Sequence, residues 1–301
     1  MTDTIVALQH LSRHFGDTAA LLGVTLSIPR GGVFGLVGEN GAGKTTLIKH
    51  LLGLYKADVG SVTVFGMDPV RDPAAVLGRI GYLAEDRDLP DWMRVHELMR
   101  YTKAFYPRWD DRFAEELLQT FDLRRDQKIR TLSRGQRARA GLLIALAHRP
   151  ELLILDEPSS GLDPGARQDI LAAIVRTIAD EGRTVLLSSH LLHEVQRVAD
   201  QVMMLHRGRL VWNEPLDSLL TRHHVITLHW PEAVAVHPVL PGALWWSGEG
   251  TEWTCMCDGE WTRLKEAAAA AGATIMEQRP PSLEEVFLAR TKIANLPEAQ
   301  S

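Results

Sequence analysis

Residues Gly38 to Thr45 read Gly-Glu-Asn-Gly-Ala-Gly-Lys-Thr and directly follow the apolar run Val33 to Val37. Such a run is typical of a buried parallel strand, and glycines let the next segment curl tightly with its N–H groups pointing inward. A helix from about Thr45 to Leu54 is predicted to follow, with its positive end facing the loop. This order predicts an α/β fold that binds a polyanion, and the pattern Gly-x-x-x-x-Gly-Lys-Thr is typical of nucleoside triphosphate sites.

Composition limits the class of protein. The chain has 301 residues, of which 45% are hydrophobic and 24% charged, the balance of a globular protein with a substantial core. The net charge is −5 and there is no long basic run, so nothing indicates a nucleic-acid partner. No apolar stretch approaches the roughly 18 residues that span a bilayer, and the first residues lack a signal-peptide pattern. We therefore expect a cytoplasmic protein.

Two residue types leave alternatives open. Cys255 and Cys257 are too close in an extended segment for an ordinary disulfide, which suits a reducing compartment, and a Cys-x-Cys metal site is the less favoured alternative. Tryptophans near the C-terminus are predicted to pack a small core, with a base-stacking platform as the alternative. These are Trp230, Trp245, Trp246, Trp253 and Trp261.

Two further apolar runs, Leu152 to Leu155 and Thr184 to Leu187, flank a predicted helix from about Pro164 to Asp180. This alternation of strand and helix predicts a parallel sheet covered by helices. The phosphate loop with Lys44, the acids Asp156 and Glu157, and His190 each follow one of three buried strands. Because ligands collect at the carboxyl ends of such strands, we expect these side chains to face one pocket.

The rest of the chain predicts three flanking regions. Strands at Thr4 to Leu8 and Val24 to Ile28 predict a small N-terminal sheet, and helices predominate from about Asp86 to Ala147. In that stretch, Asp110 is a plausible N-cap. The composition shifts near Thr221. The predicted organisation is therefore a nucleotide-binding domain at 1–220, with a helical subdomain at about 86–148, and a small α+β module at 221–301.

The pentapeptide Leu132 to Gln136, Leu-Ser-Arg-Gly-Gln, adds a far more specific signal than the phosphate loop alone. Together with the phosphate loop and the acidic strand, it makes the region from Thr4 to Pro215 resemble the ATPase subunit of an ABC transporter. The motifs stand in that family's order: Phe15, the phosphate loop, Glu85 at the Q-loop position, the signature at 132–136, Asp156 and Glu157, a D-loop at 160–163, and His190.

The resemblance implies a P-loop fold of ABC type, with ATP and Mg²⁺ bound between two paired subunits. Glu157 would polarise the attacking water, His190 would hold the γ-phosphate and water in line, and Lys44 would bind the phosphates. The implied metal residues are Thr45, Asp156 and Glu85. The implied nucleotide contacts are Phe15, Gly38, Asn40, Gly41, Gly43, Lys44, Thr45, Thr46, Ser133, Gly135, Gln136 and Asp163.

Two positions depart from the family pattern. Arg134 replaces the first glycine of the usual Leu-Ser-Gly-Gly-Gln and adds a cation near the phosphates. Glu85 stands where the family usually has glutamine, and we hypothesise that it still approaches the metal, against repulsion from the γ-phosphate. Both changes leave the motifs readable.

The function favoured by the sequence is the motor subunit of an exporter, since residues 281–288 resemble the tail of the drug and antibiotic export branch. This implies a separately encoded membrane permease, a homodimer or heterodimer of ATPase subunits, and a location at the inner face of the membrane. The alternative is an ABC-type ATPase acting on nucleic acid or ribosomes, although the chain shows neither the long insertions nor the basic footprint typical of such proteins. A catalytically silent regulator is disfavoured because Lys44, Asp156, Glu157 and His190 are intact.

Overall fold

The computed structural model describes residues 3–86, 88–236 and 239–294. The chain divides into two compact units, Met1–Asn213 and Glu214–Ser301. The domain division predicted after residue 220 stays a prediction, and its outer limits, residues 1 and 301, lie outside the described residues.

The first unit contains two sheets and the helices that cover them. Its strands are β1 Thr4–Phe15, β2 Thr18–Pro29, β3 Gly32–Val37, β4 Val59–Val64, β5 Ile80–Leu83, β6 Leu152–Asp156, β7 Thr184–Ser189, β8 Gln201–His206 and β9 Arg209–Pro215. Its helices are α1 Lys44–Leu51, α2 Pro73–Leu77, α3 Val95–Lys103, α4 Asp111–Thr120, α5 Arg134–Leu146, α6 Pro164–Glu181 and α7 Leu192–Val198.

The larger sheet has the strand order β5-β6-β7-β3-β8-β9. Strands β5, β6, β7, β3 and β8 pair in parallel, and β6 and β7 are buried along their whole length. Continuous apolar runs have this pattern because helices cover both faces of a parallel sheet. The predicted α/β fold with a parallel core is confirmed, and the three strands that precede the candidate site residues, β6, β7 and β3, are neighbours.

The smaller sheet is antiparallel, with the order β2-β1-β4. Its strands β1 and β2 exist as predicted but are longer than the sequence indicated. The pairing of β1 with β2 shifts register between Leu8 and Leu11, where His10 has φ +50°. An irregularity of this kind breaks the two-residue alternation, so the pattern could not be followed beyond Leu8.

Helix α1 ties the two sheets together. Its Leu47, Ile48 and Leu51 belong to one buried cluster with residues of both sheets, including Leu8 and Leu36. Because these close-packed side chains join α1 to β3, the helix has little freedom to move relative to that strand. The loop between β3 and α1 is therefore fixed at both ends.

The helical region follows the predicted pattern. Asp110 caps α4 as predicted, because its carboxylate accepts a hydrogen bond of 3.0 Å from the Phe113 amide. Helix α5 packs against β5, α3, α4 and α6. The sequence missed β5, which is only four residues long and contains Gly81, a residue that is uncommon inside strands.

The second unit, taken by itself, is a four-stranded sheet in the order β11-β12-β10-β13. Its elements are α8 Leu216–Arg222, β10 His223–His229, β11 Ala243–Glu249, β12 Glu252–Asp258, α9 Trp261–Ala270, β13 Thr274–Arg279 and α10 Leu283–Ala294. Strand β11 was not predicted, since it lies at an edge and is not buried at any position.

Four of the five tryptophans of this unit pack as predicted. Trp230 lies in the core, and Trp246, Trp253 and Trp261 pack against it, whereas Trp245 is half-buried and does not belong to this cluster. Cys255 and Cys257 are both buried and unbridged, with their sulfur atoms 3.6 Å apart. Among the described residues, no group of three or more His, Cys, Asp or Glu side chains is arranged to hold a metal. None of the helices in the described part of the chain has the length and apolar composition needed to cross a membrane.

Candidate functional site

The phosphate loop runs from the end of β3 to the start of α1. Gly43 is the N-cap of α1 with φ +109°, and a Cβ atom there would lie 2.6 Å from the Ala20 carbonyl oxygen. A Cβ at Gly38 would lie 2.3 Å from the Leu205 carbonyl oxygen. Both positions therefore require glycine. No side chain caps α1, so its first N–H groups are available to an anion at the positive end of the helix.

Lys44 is the first residue of α1 and is buried. Its ammonium group donates hydrogen bonds to the carbonyl oxygens of Gly38, at 2.8 Å, and of Glu39, at 3.3 Å. It also lies 3.2 Å from Glu157 Oε1. The lysine is thus bound by acceptors of its own chain, and a phosphate would compete with them for the same ammonium group.

Glu157 and His190 meet at the ends of β6 and β7. The Nδ1 atom of His190 lies 2.7 Å from Glu157 Oε2, and the His190 amide donates to the same oxygen at 3.2 Å. Glu157 has φ +47°, a left-handed conformation that is unfavourable for residues other than glycine. Such conformations persist only where the surroundings enforce them, and they concentrate at functional sites.

Asp156 is the last residue of β6 and is almost fully buried. Burial raises the pKa of its carboxyl group, against a smaller opposing effect of the Ser188 and Thr45 hydroxyls. Within the described residues, neither of its oxygens has a partner of full hydrogen-bond geometry. Buried carboxylate oxygens without partners, next to a threonine hydroxyl, suit a hard cation that prefers oxygen ligands. The residues present therefore fit Mg²⁺.

Glu85 lies just after β5. This strand and β7 flank β6 on opposite sides. Its side chain is exposed, and partial desolvation, followed by repulsion from Glu157 and Asp156, raises its pKa. The same Lys44 that pairs with Glu157 lowers it slightly. Glu85 therefore lies within electrostatic reach of the buried acids and adds negative charge where the metal is expected.

Phe15 ends β1 and exposes 41% of its surface. Its ring meets Tyr55 edge to face, with 5.4 Å between the centroids, and the Arg13 guanidinium lies 4.9 Å from the Phe15 centroid. Asp58 fixes Arg13 through an ion pair of 2.8 Å and accepts a hydrogen bond from the His14 amide at 2.7 Å. The exposed ring is thus supported by neighbours that hold it in place.

The signature residues begin α5. Ser133 accepts a hydrogen bond from the Gln136 amide at 3.2 Å, and the Gln136 side chain accepts one from the Ser133 amide at 3.0 Å, a complete capping box. A Cβ at Gly135 would lie 3.0 Å from Ala166 and 3.5 Å from the Asp163 carboxylate. Asp163 in turn accepts a hydrogen bond from the Ala166 amide. The signature and the D-loop therefore lie close together.

The predicted site residues form three groups in the structure: those at the strand ends together with the phosphate loop, Phe15 by itself, and the signature with the D-loop. Lys44, Thr45, Asp156, Glu157 and His190 lie together, with Glu85 beside them. The loop residues Gly38, Asn40, Gly41, Gly43 and Thr46 surround Lys44 in sequence. Phe15 belongs to the neighbouring hairpin of β1 and β2, and the last group is Ser133, Gly135, Gln136 and Asp163.

Some residues that shape the site were not found by sequence reasoning. Tyr55, Arg13 and Asp58 support Phe15, and Ser159 and Glu194 form a buried hydrogen bond behind the Glu157–His190 pair. Each of these pairs joins segments far apart in the sequence, and neither has a spacing that could have revealed it. The fold and the site together define a phosphate-loop nucleotide-binding protein.

Comparison with known proteins identifies the family within this class. The family model described as ABC transporter matches residues 21–160. The daunorubicin resistance ATP-binding protein DrrA3 of Streptomyces coeruleorubidus is 37% identical over 232 residues, covering 73% of this chain and 71% of that protein. The ABC transporter ATP-binding protein NatA of Bacillus subtilis is 34% identical over 225 residues, covering 71% and 91%.

Solved structures agree. An ATP-binding subunit of an ABC transporter superimposes with a TM-score of 0.67 at 29% identity, covering 72% of this chain and 92% of the other. The cbiO1 protein of Clostridium perfringens, described as part of the transporter complex cbiONQ, gives 0.63 at 25% identity, covering 73% and 91%. The chain belongs to the ABC transporter family, as an ATP-binding subunit, and the resemblance drawn from its motifs is confirmed.

Proposed function

We propose that this chain hydrolyses ATP as the motor subunit of an exporter, working as a dimer around two ATP molecules and driving a separately encoded permease. The observation that carries the proposal is the arrangement of the buried Lys44 and Glu157 with the more exposed His190 at the ends of β3, β6 and β7. It places a cation for phosphate, a carboxylate for water and an imidazole at one edge of the sheet.

Each group has a chemical task in the proposed reaction. The Lys44 ammonium group leaves the Gly38 carbonyl oxygen and the Glu157 carboxylate and binds the phosphate oxygens instead. Glu157 accepts a proton from water as the water oxygen attacks the γ-phosphorus and ADP leaves, and His190 keeps water and phosphate in line. Thr45 and Asp156 would hold Mg²⁺ with Glu85 nearby, and the ion supplies charge neutralisation of the phosphate oxygens when bound.

A second surface of the chain is proposed to contact phosphate groups only when two subunits pair. Ser133, Gly135 and Gln136 lie at the start of α5, close to Asp163, and we propose that this group covers ATP held by the other subunit. Arg134 at the same helix end is exposed and adds positive charge there. Phe15 would stack on adenine, held by Tyr55 and Arg13.

Relatives favour export. DrrA3 is named for daunorubicin resistance, and the BcrA protein of Bacillus licheniformis, 31% identical over 222 residues, is named for bacitracin transport. We infer by this likeness that the chain serves export, that a membrane permease is its partner and that it works at the inner face of the membrane.

The test is ATP-dependent dimerisation of the Glu157→Gln variant, measured by size-exclusion chromatography with light scattering, beside the ATPase activity of the wild type. The carboxamide cannot act as a base but keeps the shape of the side chain, so the ATP-bound dimer should accumulate and hydrolysis should be lost. A variant that stays monomeric and hydrolyses ATP at the normal rate would refute the proposal.

A further inference from the structure

A buried hydrogen bond joins the segment that follows β6 to helix α7. The hydroxyl group of Ser159 donates to Glu194 Oε2, and the two residues are only 1% and 3% exposed. The other carboxylate oxygen of Glu194 has no hydrogen-bond partner among the described residues. Neither residue belongs to the motifs that define the site.

This pair is not explained by fold stability. A carboxylate buried with one unpartnered oxygen costs free energy, because the water it loses is not fully replaced. Apolar side chains of similar volume in place of buried charged or polar groups are often neutral or stabilising. A glutamate at this position is therefore better explained by an effect on the arrangement of the neighbouring site residues.

Its position supplies that role. Ser159 lies two residues after Glu157, and Glu194 lies four residues after His190. The Glu157–His190 contact, at 2.7 Å, links the same two segments at the strand ends. The Ser159–Glu194 hydrogen bond is thus a second link between them, made inside the protein.

The backbone of Glu157 shows why a second link is needed. Its φ of +47° is unfavourable, and hydrogen bonds on either side restrain it: its amide donates to the Ser188 carbonyl oxygen at 3.0 Å, and its carbonyl oxygen accepts from the Ser160 amide at 3.1 Å. Ser160 directly follows Ser159. With Ser159 released, the strained residue would relax toward ordinary backbone angles and carry its carboxylate away from Lys44 and His190.

We propose that Glu194 is a positioning residue which, through Ser159, maintains the strained conformation of Glu157 and so the alignment of Glu157 with His190. The inference rests on the proposed function, in which those two side chains act on ATP. It assigns to the buried Ser159–Glu194 pair an effect on the turnover rate and no direct support of nucleotide binding, because neither residue lies in the phosphate loop or beside Phe15.

The experiment compares two substitutions of Glu194 with nearly equal volume. Glu194→Gln keeps an oxygen that accepts the Ser159 hydrogen bond, whereas Glu194→Met removes the acceptor. We expect Glu194→Met and Ser159→Ala each to lower kcat by about 10- to 100-fold, the range expected for a misplacement of about 1 Å. Glu194→Gln should retain kcat within about threefold. The Kd for ATP should not rise more than about twofold above the wild-type value in any of the three, since none of them removes a phosphate or base contact.

Thermal unfolding separates positioning from mere structural support. The double variant Ser159→Ala, Glu194→Met replaces both partners of the buried hydrogen bond, so we expect its Tm to be unchanged or higher while its kcat is lower, a combination that a structural role does not produce. The same double variant should be no slower than the slower single variant, since both changes break one link.

Glu151→Gln is the matched control. Glu151 precedes β6, at the end of the strand opposite to Asp156, and its ion pairs with Arg79 and Arg30 support the fold. This variant should lose stability and keep kcat. Wild-type kcat in both Ser159→Ala and Glu194→Met would overturn the inference. Normal hydrolysis by Glu157→Gln would instead overturn the proposed function, whatever the Ser159 and Glu194 variants do.

Discussion

Lys44 and Glu157 form a buried ion pair, with the ammonium nitrogen 3.2 Å from Glu157 Oε1 and only 6% and 5% of the two side chains exposed. The same nitrogen donates to the Gly38 carbonyl oxygen. The cation that the phosphate loop provides is therefore held by acceptors of the chain, with which a phosphate group would compete. Binding of a phosphate group requires an exchange of partners in a site of low solvent content, where each charge interaction is strong.

We predict that Glu157→Gln binds ATP more tightly than the wild type. The substitution removes the anionic competitor of the phosphates and leaves Lys44 in place. A gain of about tenfold in affinity, equivalent to about 1.4 kcal/mol, is expected. Isothermal titration with Mg²⁺ and ATP measures it, at protein concentrations where light scattering shows monomer only.

Glu39→Gln controls for the general loss of negative charge. Glu39 lies in the same loop and is exposed, and only its backbone carbonyl contacts Lys44. Its variant should bind ATP with nearly the affinity of the wild type. Equal gains in the two variants would mean that net charge, and not the ion pair, limits binding.

Phe15→Ala is predicted to weaken ATP binding without slowing the chemical step. The ring is the exposed surface of an aromatic and cationic cluster with Tyr55 and Arg13. Stacking of a base on an aromatic ring contributes roughly 1–3 kcal/mol, so KM for ATP should rise on the order of tenfold or more at unchanged kcat. Phe15→Trp should keep KM near the wild-type value. A lower kcat with unchanged KM would contradict a role in base stacking.

Glu85→Gln is predicted to raise the Mg²⁺ concentration needed for half-maximal ATPase activity. Partial desolvation, and then repulsion from Glu157 and Asp156, raises the pKa of Glu85, and a metal ion would relieve this repulsion. An amide in its place is a weaker ligand for a hard cation. Mg²⁺ titrations of ATPase activity measure the change, with Asp86→Asn as the control at the adjacent exposed acid. An unchanged rate and Mg²⁺ dependence would remove Glu85 from the metal site.

The convergence of the site was predictable because it follows from strand ends. Apolar runs preceding Lys44, Asp156 and His190 indicated parallel strands, and parallel strands bring their carboxyl ends to one edge. The observed order places β6, β7 and β3 side by side. The α/β class followed from the same residues, and the family followed from these motifs together with the signature at 132–136.

The contacts that hold the site could not be predicted in this way. Ser159 and Glu194 are 35 positions apart in the chain, and Arg13 meets Asp58 at the end of the pairing between β1 and β4, strands that are separated by two others in the sequence. Such pairs depend on how loops pack after the sheet has formed, which neither periodicity nor spacing encodes. Strand β11 was not predicted for a related reason, since an edge strand that buries no residue completely lacks a clear apolar alternation.

Glu151→Gln is predicted to destabilise the first unit. The carboxylate of Glu151 accepts two hydrogen bonds from Arg79, at 2.7 and 2.8 Å, and pairs with Arg30 at 3.0 Å. These arginines lower its pKa to about 2, so its contribution is present above the usual carboxyl pKa and is lost as the pH falls toward 2. We expect a loss of about 2–3 kcal/mol in the free energy of unfolding at pH 7. Urea unfolding measures it, and a loss below about 0.5 kcal/mol, typical of exposed pairs, would contradict it.

His148 is predicted to make the protein less stable in mild acid. It is buried, its Nε2 atom lies 3.0 Å from the Ile80 carbonyl oxygen, and its ring stacks on Tyr106 with 3.8 Å between the centroids. Burial lowers its pKa to about 4, below the usual 6.5. Between these values the unfolded chain binds a proton that the folded chain does not. Stability contributed by the neutral ring is therefore complete above pH 6.5 and falls as the pH is lowered to 4, by about 3 kcal/mol in all.

His148→Gln isolates this effect from other titrating groups. Glutamine can still donate to the Ile80 carbonyl oxygen but does not bind a proton in this range. The free energy of unfolding, measured with urea from pH 7.5 to pH 4, should fall less steeply in the variant than in the wild type. His193→Gln, at an exposed position on α7, should follow the wild-type curve. Parallel curves for the wild type and His148→Gln would show that His148 is protonated in the folded protein at the same pH as in the unfolded chain, and that the buried imidazole does not control acid stability.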